Sequence, residues 1–247
     1  MDLHGKVALV TGGAVRVGKS IALALAEAGA DIAFSYNSSA DAALATAEEI
    51  KMLGRRALAF RADQAQAEQV AALVETTVAQ MGRLDVLVNS ASLWHRTPWA
   101  ELDEAAWDHL LDINLKGPFL CAKAAAPHLA AHGDGAFVNI VDLSAGVPFP
   151  NLMPHSAAKA GLWNLTQALA MELAPAVRVN AIAPGPVLPP PGYTEKQIAA
   201  TARRTLLGRW GCAEDVAQAA VFLAQAPYIT GVLLPVDGGE RLGFYSK

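Results

Sequence analysis

The sequence predicts one doubly wound α/β domain covering 1-247, with about seven parallel strands and helices on both faces. Three observations predict it. Short β-branched runs alternate with longer helical patterns along the whole chain. The strand runs are continuously apolar, as in a parallel sheet buried on both faces. The first strand leads directly into a glycine-rich turn that opens a helix.

The elements follow in order. "KVALVT", Lys6–Thr11, reads as a buried strand, and a helical run continues to about Ala28 with Gly29 as its C-cap. "DIAFSY" is the second strand, and "ADAALATAEEIKML" a helix ending at Gly54. "RALAFRAD" is the third strand, followed by a helix over Glu68–Met81 that Gly82 stops. "LDVLVN" is the fourth strand. Two helical patterns come next, roughly Glu104–Asn114 and Pro118–Ala131. "GAFVNIVD" is the fifth strand, and a long helix runs from near His155 to about Leu173. "VRVNAIAP" is the sixth strand. A proline-rich loop and two helices then lead to a short last strand in "GVLLPVDGG". The loop, Pro184–Gln197, holds five prolines in fourteen residues and is expected to be stiff and structureless. It follows a strand's carboxyl end, where an open sheet places a substrate lid, here 184-205.

Composition excludes several classes. The chain has 247 residues, 53% hydrophobic and 17% charged, which rules out a disordered chain. The net charge is −4 and the cations are scattered, so neither nucleic acid nor an anionic membrane is expected as a partner. Two cysteines, Cys121 and Cys212, form no disulfide framework and no metal spacing. His128 and His132 share a helix face without a third ligand and are read as solvent-facing. The N-terminus does not read as a secretory signal, and no run of about 18 apolar residues suggests a span. A cytoplasmic protein is expected.

"TGGAVRVG", Thr11–Gly18, follows strand one. Gly12 permits a tight turn, Gly18 a close approach of helix, strand and ligand, and the helix N-terminus beyond faces a pyrophosphate. This is the signature of a Rossmann dinucleotide site. An NAD site carries an acid at the end of strand two. Here Tyr36, Asn37, Ser38 and Ser39 are neutral, and Arg16 sits in the glycine loop. A cation with hydroxyls suits a ribose 2′-phosphate, so NADPH/NADP+ is expected over NADH; a solvated surface arginine is the alternative for Arg16, and another cation of the chain could serve in its place. Asp63, after strand three, is a candidate adenine contact.

Six segments in this order resemble the short-chain dehydrogenase/reductase family over nearly the whole chain. They are "TGGAVRVG", "NSAS" at Asn89–Ser92, Asn114 in "DINLKGPF", "SAAK" ending in Lys159, "VRVNAIAPGPV" and "YITGVLLPVDGG". Within the family the sequence most resembles the pteridine reductases. Arg16, the "YNSS" segment, Trp94 in "NSASLW" and Asp142 in "NIVDLSAG" carry that likeness. The resemblance implies an NADPH-dependent, homotetrameric reductase of a pterin-like or carbonyl small molecule.

By position it implies cofactor contacts at Gly12, Arg16, Val17, Gly18, Tyr36, Asn37, Ser38, Ser39, Asp63, Gln64, Asn89, Ser90, Ala91, Lys159, Pro184, Gly185 and Val187. Substrate contacts fall on Ser92, Trp94, Asp142, His155, Pro186 and Tyr193; for Trp94 core filling, and for Tyr193 a plain surface loop, are the alternatives. The catalytic positions are Asp142, His155, Lys159 and Asn114, with Asn114 supporting a water relay to the lysine.

One position departs from the family pattern. His155 stands where the proton-donating tyrosine is expected, four residues before Lys159 on one helix face. Imidazole does acid–base chemistry near neutral pH, but it is shorter than phenol. Asp142, if it approaches, fixes the ring tautomer. Three readings follow: an active reductase using Asp142, His155 or both; a catalytically impaired NADP(H)-binding protein with a binding or regulatory role; or an engineered Tyr→His change. A 3-oxoacyl or simple ketone substrate also stays open.

Overall fold

The computed structural model describes residues 1–190 and 192–243. Pro191, inside the expected lid, and the last four residues of the expected 1-247 domain lie outside the described residues. Seven parallel strands form one sheet in the order β3-β2-β1-β4-β5-β6-β7. The strands are β1 (Val7–Thr11), β2 (Asp31–Tyr36), β3 (Ala57–Arg61), β4 (Val86–Asn89), β5 (Gly135–Ile140), β6 (Val177–Pro184) and β7 (Leu233–Val236). β1, β4 and β5 are buried at every position, which is why they read as unbroken apolar runs.

Successive residues of a strand face opposite layers. Ala8, Val10, Ile32 and Phe34 pack on one side with α1 (Arg16–Glu27), α2 (Ala40–Met52) and α8 (Ala213–Gln225). Leu9, Ala33, Leu87 and Phe137 pack on the other with α3 (Ala67–Met81), α5 (Gly117–Ala130) and α6 (Met153–Leu173).

The strand order reverses between β1 and β4. The crevice above their carboxyl ends is the place where a doubly wound sheet binds ligands. At the opposite edge, buried Asp85 ties the sheet together. Its carboxylate accepts Arg83 Nε at 2.7 Å, Arg83 Nη2 at 2.6 Å and the Val7 N–H at 3.0 Å, with Lys6 Nζ at 3.6 Å.

Two segments differ from expectation. The helices expected at 104–114 and 118–131 form one helical run. α4 (Glu104–Leu111) passes through a π turn at Asp112–Lys116 into α5. The stretch Pro184–Gln197 is not structureless throughout. β6 extends through Pro184, and α7 (Glu195–Ala202) begins on a capping box in which Thr194 and Gln197 satisfy each other's backbone N–H groups. Prolines bar helix only where they stand, so the box beyond them is free to start one.

Candidate active site

The cofactor end is built by close backbone packing. Gly12 has φ +66°, and a Cβ there would lie 2.8 Å from Ala91 Cα. A Cβ at Gly18 would lie 2.2 Å from Gly12 O. Thr11 Oγ1 accepts the N–H groups of Ser90 and Ala91, each at 3.1 Å, which presses the two turns together. α1 has Val15 at its N-cap, with no side-chain acceptor and no acid in its first turn. Its first N–H groups therefore keep their capacity for an anion, which fits a pyrophosphate.

Arg16 has φ +54°, and its Nη2 faces the carbonyls of Leu188 and Pro189, both at 3.5 Å. A left-handed backbone turns the Cα–Cβ bond away from the direction an extended residue would give it. A second cation, Arg61 at the end of β3, stands beside Asn37, its Nε donating to Asn37 O at 3.1 Å. Tyr36 ends β2 opposite Arg61, and Ser39 caps α2 without a side-chain bond.

Other expected cofactor residues act as braces. Asp63 accepts the Ala65 N–H at 3.0 Å and so caps the turn before α3. Gln64 is buried and donates to Ala91 O and Ile113 O at 2.9 and 2.8 Å. Asn89 is buried and donates to Pro118 O and Asn139 Oδ1. Val17 and Val187 pack into the core, while Pro184, Gly185 and Pro186 line the cavity described below.

The central contact is between His155 and Asp142. His155 Nε2 lies 2.6 Å from Asp142 Oδ2, and His155 Nδ1 lies 3.2 Å from Leu93 O. Both ring nitrogens thus face oxygen acceptors. The ring is enclosed, its side chain 2% exposed against 25% for Asp142, and it is Asp142 that reaches the cavity wall. The other carboxylate oxygen accepts from the backbone and hydroxyl of Ser144.

Burial alone would push the Asp142 carboxyl up. The His155 hydrogen bond, the charges of His155 and Lys159, and the Ser144 bond outweigh it and hold the group below the usual carboxylate range. Lys159 lies one helical turn from His155, buried, with Nζ donating to Ile140 O at 2.9 Å. Burial pulls its ammonium below the ordinary lysine value, and the charge of Asp142 partly opposes this.

Asn114 Oδ1 accepts from Ser92 Oγ and Leu93 N at 2.8 and 2.9 Å, and its Nδ2 donates to Leu93 O at 2.8 Å. The residue stands in the π turn, which aims it at the 92–93 loop, with His155 Nδ1 3.5 Å away. Asn114 therefore shapes the carbonyl that His155 meets.

A cavity of about 800 Å³ opens above Asp142, lined by Ser92, Trp94, Pro186 and Tyr193 as expected. Sequence reasoning missed Arg96, Phe149, Arg204, Trp210 and Glu240 on its wall. Arg204 Nε donates to Glu240 at 2.9 Å, whereas the Arg96 guanidinium lies 5.7 Å from the Trp94 ring centre. No group of three metal-ligating side chains occurs among the described residues, and no helix of the described residues is long and apolar enough to cross a membrane.

A glycine cradle at the switch point of a parallel sheet, below a cavity holding a carboxylate–imidazole pair, belongs to a Rossmann-fold oxidoreductase. Comparison with known proteins makes the class specific. A family described as enoyl-(acyl carrier protein) reductase matches residues 13–240. The chain belongs to the short-chain dehydrogenase/reductase family.

It is 38% identical over 239 residues to a 3-oxoacyl-(acyl-carrier-protein) reductase of Staphylococcus aureus, covering 95% of this chain and 97% of that one. It is 40% identical over 240 residues to a cis-4-hydroxycyclohexanecarboxylate dehydrogenase of Sinomonas cyclohexanicum, covering 95% and 96%. Among solved structures, a Burkholderia cenocepacia short chain dehydrogenase in complex with NADP superposes with TM-score 0.91 at 34% identity, covering 97% of this chain and 99% of that one. A Mycobacterium avium carveol dehydrogenase in complex with NAD gives TM-score 0.91 at 31% identity, covering 98% and 99%. These relatives are named for acyl, hydroxycyclohexane and carveol substrates, not pterins, so the sequence likeness to pteridine reductases holds at the level of the family.

Proposed function

We propose that this chain is an NADPH-dependent reductase of a small-molecule ketone, in which Asp142 relays to the substrate oxygen a proton held by His155. The observation that carries this is the 2.6 Å contact between an enclosed imidazole and a carboxylate on the cavity wall. When bound, the dihydronicotinamide supplies the hydride. The protein's part is to orient the carbonyl and deliver one proton to its oxygen.

His155 is too enclosed to touch substrate, which accords with an imidazole being shorter than phenol. A proton on Nε2 has one short path out, through Asp142 Oδ2. Ser144 fixes the carboxylate's rotation, and Leu93 O, set by Asn114, fixes the ring. Lys159 adds positive charge beside Asp142 and, by the family resemblance, holds the nicotinamide ribose. Arg61 with Ser38 and Ser39 supports the preference for NADPH.

The name of the Staphylococcus relative supports a 3-oxoacyl substrate, and that of the Sinomonas relative a ring ketone. A pterin-like substrate is the second reading, favoured by Trp94 lying on the same wall as Asp142. The same proposal includes a segment 184–205 that closes over the site and a cytoplasmic homotetramer. Exposed Phe119, on a groove with Leu111, Leu115 and Leu165, supports apolar contact between copies.

The test is steady-state NADPH oxidation with 3-oxoacyl thioesters, cyclic ketones and pterins, for the protein and for Asp142→Ala. Turnover that the variant loses supports the reading. Tight NADPH binding without turnover of any substrate replaces it with a cofactor-binding protein that has lost catalysis.

A further inference from the structure

The cavity wall carries three arginines, two of which are accounted for. Arg204 is paired with buried Glu240, and Arg16 is turned onto the carbonyls of Leu188 and Pro189. The two acids on the wall are also engaged, Glu240 with Arg204 and Asp142 with His155. Arg96 is different. Among the described residues it meets no carboxylate and no carbonyl, and its guanidinium lies 5.7 Å from the Trp94 ring centre. The chain as a whole carries a net charge of −4, so this is a local excess of positive charge in an acidic protein.

We infer that the substrate is a free carboxylic acid with its ketone at the other end, the carboxylate held by Arg96 and the flat body lying on Trp94. This deepens the reductase reading and rests on it for the ketone. At 5.7 Å from the indole centre the exposed guanidinium is within cation–π range, and its planar fork of N–H donors is open to match a carboxylate in two parallel bonds. Trp94 is 42% exposed, a large apolar surface that a bound ring would cover. Charge also sets the direction of binding. Anionic Asp142 repels the acid end and leaves the carbonyl end beside itself, where the proton is needed.

The experiment compares 4-oxocyclohexanecarboxylate with its amide as substrates for the NADPH-loaded protein. The acid is expected to exceed the amide by about ten- to a hundred-fold in kcat/KM. In Arg96→Gln the ratio is expected to fall toward one, and rising salt is expected to lower it in the unaltered protein. Equal use of acid and amide overturns the inference, as does a ratio that Arg96→Gln leaves intact. So does use of carrier-bound acyl chains with no preference for free acids.

If no ketone is turned over, the reductase reading fails. The Arg96 site is then decided by calorimetric binding of cyclohexanecarboxylate against cyclohexanecarboxamide. Tighter binding of the acid, lost in Arg96→Gln, keeps it, and equal binding removes it.

Discussion

His155 Nε2 and Asp142 Oδ2 lie 2.6 Å apart, with the imidazole enclosed and the carboxylate open to the cavity. The two side chains are thirteen residues apart in sequence and form one hydrogen-bonded pair. Removing its exposed member, Asp142→Ala, is expected to lower kcat by about 10²–10⁴-fold, while NADPH affinity, followed by cofactor fluorescence, is unchanged. A small loss of kcat would show that the proton travels another way.

His155→Gln separates holding from giving. Glutamine donates to Asp142 but has no proton to release. Its kcat is expected to fall by about 10²-fold with NADPH affinity unchanged. An unchanged kcat would assign His155 to packing alone. His155→Tyr places a longer phenol beside the same lysine, and a faster variant would show that the histidine slows the chemistry.

Arg61 and Arg16 predict opposite results for cofactor choice. Loss of a charge-assisted contact to a phosphate is worth about ten- to a hundred-fold. Arg61→Ala is therefore expected to raise KM for NADPH by that factor and leave NADH alone. Arg16→Ala should keep the NADPH preference, because its guanidinium faces Leu188 and Pro189. Kinetics with both cofactors decide; a lost preference in Arg16→Ala would return the phosphate to the glycine loop.

Gly18→Ala should abolish the cofactor site without unfolding the domain. The added methyl would sit 2.2 Å from a backbone oxygen of the same turn. NADPH dissociation is expected to rise by at least about ten-fold, measured by cofactor fluorescence, with circular dichroism unaltered.

Asp85 governs stability away from the site. Burial pushes its carboxyl up, but the Arg83 hydrogen bonds, the Val7 N–H and the charges of Arg83 and Lys6 outweigh it and hold the group below its ordinary value of 3.8. Its folded pKa is thus lower than its unfolded one. The stabilisation is complete above the unfolded value and is lost as pH falls through the folded one. Asp85→Ala is expected to lower stability by about 3 kcal/mol at neutral pH, the low end for a buried pair because Arg83 and Lys6 reach solvent. The urea midpoint of the variant should also change less than the parent's between about pH 5 and pH 2. A variant as acid-sensitive as the parent would assign the effect to other carboxylates.

Much of the fold was legible because buried parallel strands are continuous in sequence. The strand order was not read from the sequence, and the approach of Asp142 to His155 was expected only as a condition, because both depend on how distant segments pack. What escaped reading depends on geometry with no local signature. Arg61 stands beside Asn37, and nothing local in β3 announces it. Arg96 gains meaning only from Trp94, two residues away in an irregular segment whose shape no pattern announces. The two helices after the proline-rich loop were expected, but the first starts at Glu195, inside the stretch read as loop, where the Thr194–Gln197 box caps it.

The π turn at Asp112–Lys116 has a bearing on how this chain is aligned with others. One extra residue in a helical circuit acts as a rotation, advancing each later side chain by about 100°. Asn114 occupies the widened circuit and turns its amide to the loop at Ser92 and Leu93, with His155 Nδ1 also 3.5 Å from its nitrogen. Whether an asparagine at this place does the same work in another protein is a matter of phase. A neighbour lacking the extra residue can match letter for letter here and still point its amide somewhere else.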